Sequence, residues 1–211
     1  LDQLAAEFDA IHDEVYADLG ARDRKYIQSM IEMHRRLAVL SRVLLLASTN
    51  RGAWVAGTAA NSAAKILENM EIGHNVLHGQ YDWMNDPGFD SRTYDWDIAC
   101  TADNWRQSHN IDHHDHTNII GKDDDFGYGM LRLSEQQKWT PSCLLQPFSY
   151  LVLALNFEWG VAVQNLKLGR FFKGRMKMPE FRERMRPFLR KAGRQLFKDY
   201  VLFPLLAFWN I

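Results

Sequence analysis

The sequence predicts an all-α fold for a membrane-associated protein, and three observations support this prediction. Residues 1–23 are acidic and carry apolar side chains at helical spacing. Residues 144–163 form an apolar stretch of 20 residues with one charge, which is about the length of a membrane span. No stretch alternates between polar and apolar residues for long enough to require a β-sheet.

We predict one domain, residues 1–211, that begins with two helical regions. Residues 1–35 are an amphipathic N-terminal region, with a helix to about residue 19. Residues 36–80 are predicted to hold a membrane hairpin and the first group of histidines. Only 31 residues separate Arg36 from Glu68, and two full membrane crossings need about 40. Either a shallow hairpin with Arg51 near its turn, or one span followed by an interfacial helix, fits this length.

The other two regions differ in charge. Residues 81–140 are predicted to be aqueous and acidic, with a short helix that carries the second group of histidines. Residues 141–211 are predicted to contain a membrane helix over 141–170, a basic interfacial helix to about residue 198, and the start of another membrane helix. The run Asp123-Asp-Asp-Phe-Gly127 lacks the ligand spacing of a calcium loop, so we interpret it as a polar turn.

Several classes of protein are excluded by the composition. Cys100 and Cys143 form no CxxC motif, which argues against a zinc ribbon, a redox pair or a disulfide framework. The first 20 residues are acidic and periodic, unlike a secretory signal peptide. The net charge is −1, and the basic segment 167–198 carries no known nucleic-acid reader motif, so no nucleic-acid partner is predicted.

Six of the eight histidines lie within 43 residues, which predicts a metal site. His74 and His78 are four residues apart, so on a helix both imidazoles lie on one face. His109 and His113 repeat this spacing, and His114 adds a third imidazole about 100° further around the helix. Neutral imidazole suits iron, copper, nickel and zinc.

The neighbouring residues narrow the choice of metal. A zinc protease helix of the HExxH type needs glutamate after its first histidine, and Asn75 occupies that position. A carboxylate-bridged di-iron bundle needs two ExxH motifs, and the chain has one, Glu71 to His74. The site is therefore rich in histidine and poor in carboxylate, which favours oxygen-activating iron on a membrane enzyme. Polar groups near the histidines are candidates for hydrogen bonds to their rings: Glu71, Asp112, Asp115 and Asn118.

Two runs of sequence resemble the first two histidine boxes of membrane-bound fatty acid desaturases. They are KILENMEIGHNVLHGQYDWMNDP at 65–87 and WRQSHNIDHHDHTNIIGKDDDFGYG at 105–129. The likeness is greatest to acyl-CoA and acyl-lipid desaturases of actinobacterial type. The resemblance implies that two iron ions use O2 to remove hydrogen from a long acyl chain, with electrons from a ferredoxin, cytochrome b5 or reductase. It also implies the iron ligands: His74, His78, His109, His113 and His114.

Two departures from the family pattern lead to further expectations. No histidine follows His116, so the family's third box is missing, and we expect the chain to be an N-terminal fragment that is inactive alone. His116 occupies a position where the family pattern predicts an aromatic residue, so we do not expect it to be a ligand.

The segment 167–198 carries twelve basic residues and two acidic ones. Such segments lie on the cytoplasmic side of membrane proteins and against anionic lipid. We also predict a multi-pass membrane protein with its histidine boxes on the cytoplasmic side. Arginine also neutralises phosphate. We therefore predict that the substrate head group contacts Arg182, Arg184 and Arg186. Two alternatives stay open, a membrane hydroxylase of alkanes, sterols or carotenoids and a metal-binding helical protein without turnover.

Overall fold

The structure is a computed structural model that describes residues 1–208, and it confirms the all-α prediction for that part of the chain. Within those residues there is no β-strand. The α-helices are α1 (Asp2–Asp18), α2 (Ala21–Leu46), α3 (Arg51–Ile66), α4 (His74–Leu77), α5 (Ala102–Trp105), α6 (Gln146–Leu155), α7 (Phe157–Gln164), α8 (Leu168–Phe172), α9 (Met178–Leu196) and α10 (Phe203–Phe208). Three π-helical segments join helices, at Leu67–Gly73, Arg106–His113 and Phe197–Leu202. Short 3-10 turns lie at Asp82–Met84, Pro87–Phe89, His114–His116, Gly127–Gly129 and Pro141–Leu145.

Helices α2 and α3 form a helical hairpin, and α2 runs across the predicted boundary between residues 35 and 36. Asn50 begins α3 because its side-chain oxygen accepts a hydrogen bond from the amide of Ala53 at 3.1 Å. Arg51 is therefore the first residue of α3; whether this hairpin enters a membrane stays a prediction. Gly57 allows close approach, since a Cβ atom there would lie 3.0 Å from side-chain atoms of Leu44 and Leu45.

The predicted helix over 141–170 is wrong, because the structure divides it. Residue Asn156 has φ −115° and ψ 21°, which ends α6 before α7 begins. Its side-chain amide donates to the carbonyl of Val152 at 2.9 Å, and this carbonyl also accepts from the backbone amide of Asn156 at 3.1 Å. Among the described helices, none combines the length and the apolar character that a membrane crossing requires. Of the further membrane helix predicted over 200–211, residues 209–211 lie outside the described part of the chain.

A buried core connects the two groups of histidines. Trp96 and Trp105 pack with Leu77, which ends α4, and with Ala162 of α7. The indole of Trp96 donates to the carbonyl of Cys100 at 2.9 Å, which fixes the loop before α5. The core therefore holds the helix of the first histidines against the helix of the second.

Gly73 is a position at which a larger residue should disturb this core. A Cβ atom there would lie 2.8 Å from the carbonyl oxygen of Glu68 and 3.0 Å from the Trp96 ring. We expect Gly73→Ala to lower the free energy of unfolding by about 1–3 kcal/mol, the usual effect of overpacking. The control is Gly193→Ala in α9, where a Cβ meets no atom within 4 Å and should stabilise by roughly 0.5–1 kcal/mol. Denaturant titration of both variants measures the difference, and equal effects would contradict this prediction.

Candidate metal centre

The first pair of histidines follows a π-helical segment. The amide of His74 donates to the carbonyl of Asn69, five residues back, instead of four. The carbonyl of Glu71 accepts from the side chains of Asn75 at 2.6 Å and Tyr81 at 2.9 Å, which holds this wider turn in place. The rings of His74 and His78 then lie 4.7 Å apart, measured between centroids. The structure thus uses the backbone of Glu71 here, whereas the sequence analysis proposed its carboxylate.

The second group lies on another π-helical segment, Arg106–His113, which continues α5. Thr101 begins α5 by accepting from the amide of Asn104 at 3.4 Å. The rings of His109 and His113 are 4.9 Å apart, and His114 lies 5.1 Å from His113. Because π-helical turns are rare and concentrate at functional sites, their presence on both boxes marks this region of the molecule.

Packing brings the five predicted histidines into one cluster. His78 lies 5.3 Å from His109 and 4.7 Å from His114, again between ring centroids. The ligand atoms form two groups, each within 4.8 Å: His74, His78 and His109, and His109, His113 and His114. His109 belongs to both groups and stacks on Trp105 at 4.3 Å. An amide hydrogen bond of 2.8 Å from Asn110 to the carbonyl of Leu77 joins the two helices.

Two aspartates that the sequence analysis assigned to a polar turn are paired with the rings. Asp125 lies 2.8 Å from Nδ1 of His109, and Asp123 lies 2.9 Å from Nδ1 of His113. The Asp123 side chain is fully buried and also accepts from the amides of Asn118 and Asp125. With Nδ1 engaged in this way, Nε2 of each ring is left to bind a metal.

The polar side chains predicted to hydrogen-bond to the histidine rings make other contacts. Asp112 pairs with Lys167 at 3.2 Å, Asp115 is exposed, and Asn118 contributes its backbone amide to Asp123. Sequence proximity to a histidine was therefore the wrong signal, because side chains next to a ligand on a helix point away from it. A better signal is the acidic run that follows the second box, 10 to 16 residues beyond the rings it contacts. His116 approaches the carbonyl of Asp112 at 3.2 Å and is in neither group of three.

The surroundings favour the neutral form of three of the rings, those of His74, His78 and His114. Burial, reinforced by the neighbouring histidines, lowers the pKa of His78 from 6.5 to about 4. Burial and the same neighbours also lower the pKa of His74 and His114. Metal ions bind neutral imidazole, so these residues fit a transition-metal site at neutral pH.

We expect the metal-free protein to lose stability as the pH falls from about 6.5 to about 4. In this window the unfolded chain binds a proton at His78 that the folded protein excludes, so protonation favours unfolding. The unfolding temperature measured between pH 7.5 and pH 4 in a chelator tests this. The decline should be smaller in His78→Gln and unchanged in His12→Gln, since His12 is exposed. An identical decline in His78→Gln would argue against this source of the pH dependence.

Two cavities lie beside the cluster. One has a volume of about 390 Å³ and reaches His74 and His109. Its walls are mainly apolar: Ile66, Met70, Trp96, Ile98, Trp105, Phe157 and Val161. The other has a volume of about 690 Å³, reaches Asp112 and His116, and has basic walls: Lys122, Lys167, Arg170, Lys173 and Arg175.

The arginines predicted to contact the head group lie on α9. Arg184 donates to the carbonyl of Asn165 at 3.5 Å and lies 3.7 Å from the carboxylate of Glu180. Arg182 and Arg186 are exposed. None of these arginines lines either of the two cavities.

Fold and site together define a helical protein with a polyhistidine cluster suited to transition-metal ions. The chain belongs to the fatty acid desaturase family, whose model matches residues 52–211. It is 50% identical over 207 residues to NADPH-dependent stearoyl-CoA 9-desaturases of two Mycobacterium tuberculosis strains, CDC 1551 / Oshkosh and H37Rv. The match covers 98% of this chain and 48% of each relative, so the chain spans about half their length. No solved structure shows significant similarity to it.

Proposed function

We propose that this chain supplies the first two histidine boxes of an oxidoreductase that desaturates a long-chain acyl group. The observation that carries this proposal is the convergence of five imidazoles from two helices into one cluster. Family membership and the mycobacterial stearoyl-CoA 9-desaturases support an acyl substrate. We favour stearoyl-CoA or a similar acyl-CoA over an acyl-lipid, because the relatives act on that thioester.

The five histidines suit two iron ions, and His109, whose Nδ1 is held by Asp125, would offer its Nε2 to one of them. Bound iron would supply the O2 chemistry that removes two hydrogens from a methylene pair. The chain's own residues orient the ligands: Asp125 and Asp123 hold the rings of His109 and His113 through Nδ1. Asn110 joins the two helices and so fixes the distance between the groups.

The apolar cavity suits the acyl chain. Its walls reach His74 and His109, so a chain bound there lies against the proposed metal ligands. The Trp96 and Trp105 side chains form part of the lining and are themselves almost fully buried. An acyl chain in this position would exclude water from the reacting carbons, since apolar surfaces release water on contact.

Membrane association and the electron donor are further parts of the proposal. Large apolar side chains are exposed on the hairpin, on α6 and on the 3-10 turn before α6, as expected of surfaces that contact lipid or other protein segments: Val39, Val43, Val55, Leu144, Phe148 and Leu155. We propose that lipid covers them and that the histidine boxes face the cytoplasm. Because the relatives are NADPH-dependent, we propose that electrons pass from NADPH through a separate reductase, ferredoxin or cytochrome b5.

The test combines metal analysis with product analysis. The longest natural chain that contains this sequence is purified in detergent, its iron is counted, and it is incubated with stearoyl-CoA, O2, NADPH and a reducing partner. We expect two irons per polypeptide and an acyl product that has lost two hydrogens. A hydroxylated chain without a double bond would indicate a hydroxylase, and bound metal without any product would indicate a non-catalytic metal protein.

The basic cavity is a second candidate site for the substrate head group, besides the arginines of α9. Several cations of its wall can contact one phosphate group, whereas Arg182 and Arg186 are exposed on α9. We expect the double reversal Lys173→Glu, Arg175→Glu to weaken stearoyl-CoA binding about tenfold, since charged hydrogen bonds are worth about 1.5–3 kcal/mol. Reversal of Arg182 and Arg186 should have a smaller effect. Equilibrium binding of stearoyl-CoA to the two double variants measures the difference. A larger loss of affinity on reversal of Arg182 and Arg186 would show that the head group contacts α9, as predicted from the sequence.

A further inference from the structure

Lys167 is a buried cation next to the proposed metal centre. It follows α7, and its side chain is only 3% exposed. Its ammonium lies 3.2 Å from Asp112 Oδ2 and 2.5 Å from Asp124 Oδ2. A buried charge is tolerated when it is paired, and here two carboxylates share the pairing.

The two carboxylates belong to the two segments that build the site. Asp112 lies on the π-helical segment between His109 and His113. Asp124 lies between Asp123 and Asp125, the residues paired with the rings. Lys167 therefore joins the helix that carries the ligands to the loop that orients them.

A second contact holds the same loop from the same side. The side-chain amide of Gln164, the last residue of α7, donates to the carbonyl of Asp124 at 2.7 Å. Asp124 is thus fixed through its backbone and its side chain, while its two neighbours face the histidines. Movement of Asp124 would move both ring contacts, because they are attached to adjacent residues.

The backbone of Lys167 is left-handed, with φ 53° and ψ 41°. This conformation costs about 1–2 kcal/mol for a residue other than glycine. It occurs where the chain turns from α7 into α8. The two ion pairs of the Lys167 side chain hold this turn in place and so can offset the cost of the left-handed backbone.

We propose that Lys167 is a positioning residue that holds Asp123 and Asp125 against the rings of His113 and His109. This inference rests on the proposed metal centre for its purpose, but the restraint on the loop does not require metal. The two parts can therefore be tested separately.

The first experiment measures hydrogen exchange of metal-free protein over residues 118–127. We expect faster exchange in Lys167→Met than in the wild type and near-normal exchange in Lys167→Arg, which keeps the charge. Lys138→Met, a change at an exposed lysine, is the control and should match the wild type. Unchanged exchange in Lys167→Met would refute the positioning role, whether or not the protein binds metal.

The second experiment uses Co²⁺ as a spectroscopic probe of the ligands. We expect Lys167→Met to weaken Co²⁺ binding by roughly tenfold and to alter the visible spectrum, as changes beyond the ligand shell do. Lys167→Arg should restore both, which a general loss of stability would not explain. Asp124→Asn should reproduce much of the effect and add little to it in the double variant, because both changes break the contact between Lys167 and Asp124.

The outcomes separate the two proposals. If the wild type binds no Co²⁺, the metal centre is refuted, while exchange over 118–127 still decides the restraint. If the wild type binds Co²⁺ and Lys167→Met binds it equally well with the same spectrum, the positioning role is refuted. If Lys167→Met does not fold, Asp124→Asn decides in its place, since half of the Asp124 side chain is exposed.

Discussion

Replacing His109 with alanine is expected to abolish binding of one of the two proposed metal ions. His109 belongs to both groups of three, but with Nδ1 held by Asp125 it offers Nε2 to one ion, so its loss leaves that ion with two histidines. We expect a fall in metal affinity of more than about 100-fold, beyond the 10–100-fold that follows loss of an outer-shell partner. Metal titration of the purified protein, followed by iron analysis, measures this loss.

The control for this variant is His12→Ala. His12 lies on α1 and is exposed, and it belongs to neither group. It should bind two metal ions as the wild type does. Binding of two ions with wild-type affinity in His109→Ala would show that His109 is not a ligand.

Replacing Asp123 with asparagine is expected to weaken both metal binding and folding. Burial opposes ionisation of this carboxyl, but the hydrogen bonds from the Asn118 amide, the His113 ring and the Asp125 amide outweigh it and lower its pKa. Asparagine keeps the shape but has one acceptor oxygen where aspartate has two. We expect a loss of about 1–3 kcal/mol of stability for the unsatisfied group and roughly 10–100-fold in metal affinity.

The pH dependence provides a second measurement on this variant. Because the folded pKa of Asp123 is lowered, its contribution to stability is complete above the unfolded pKa and is lost as the pH falls through the folded value. The difference in the free energy of unfolding between the wild type and Asp123→Asn should therefore become smaller at acidic pH. Asp115→Asn, at an exposed carboxylate, should match the wild type in stability and metal binding. Equal effects of the two substitutions would contradict the assigned role of Asp123.

The local features of the fold follow from the sequence because they depend on neighbouring residues. The helix of α1 was predicted from spacing, and it occurs. A turn near Arg51 was one of two alternatives for residues 36–80, and α3 begins at that residue. The break at Asn156 was missed, because the apolar composition of residues 144–163 outweighed one polar residue in the prediction. Asn156 leaves the helical φ/ψ region and its side chain donates to the carbonyl of Val152, and composition reveals neither.

The metal site also has features that follow from local sequence and features that depend on tertiary contacts. Spacing alone placed His74 with His78, and His109 with His113 and His114, because residues four apart share a helix face. The contact between the two groups needed the core around Trp96 and Trp105. The wider π-helical turns beneath both groups were not predicted, since they rest on specific hydrogen bonds such as that from Asn75 to Glu71.

The sequence by itself determined the helical class, the ligand residues to consider and the family to which they point. Tertiary structure alone decided which carboxylates support the ligands, because Asp123 and Asp125 reach the rings only when their loop folds back over the second box. It also decided that Lys167 holds this loop, through an ion pair with a residue 43 positions earlier in the chain. Spacing fixes contacts within one helix, whereas contacts between segments depend on how the whole chain buries its apolar surface.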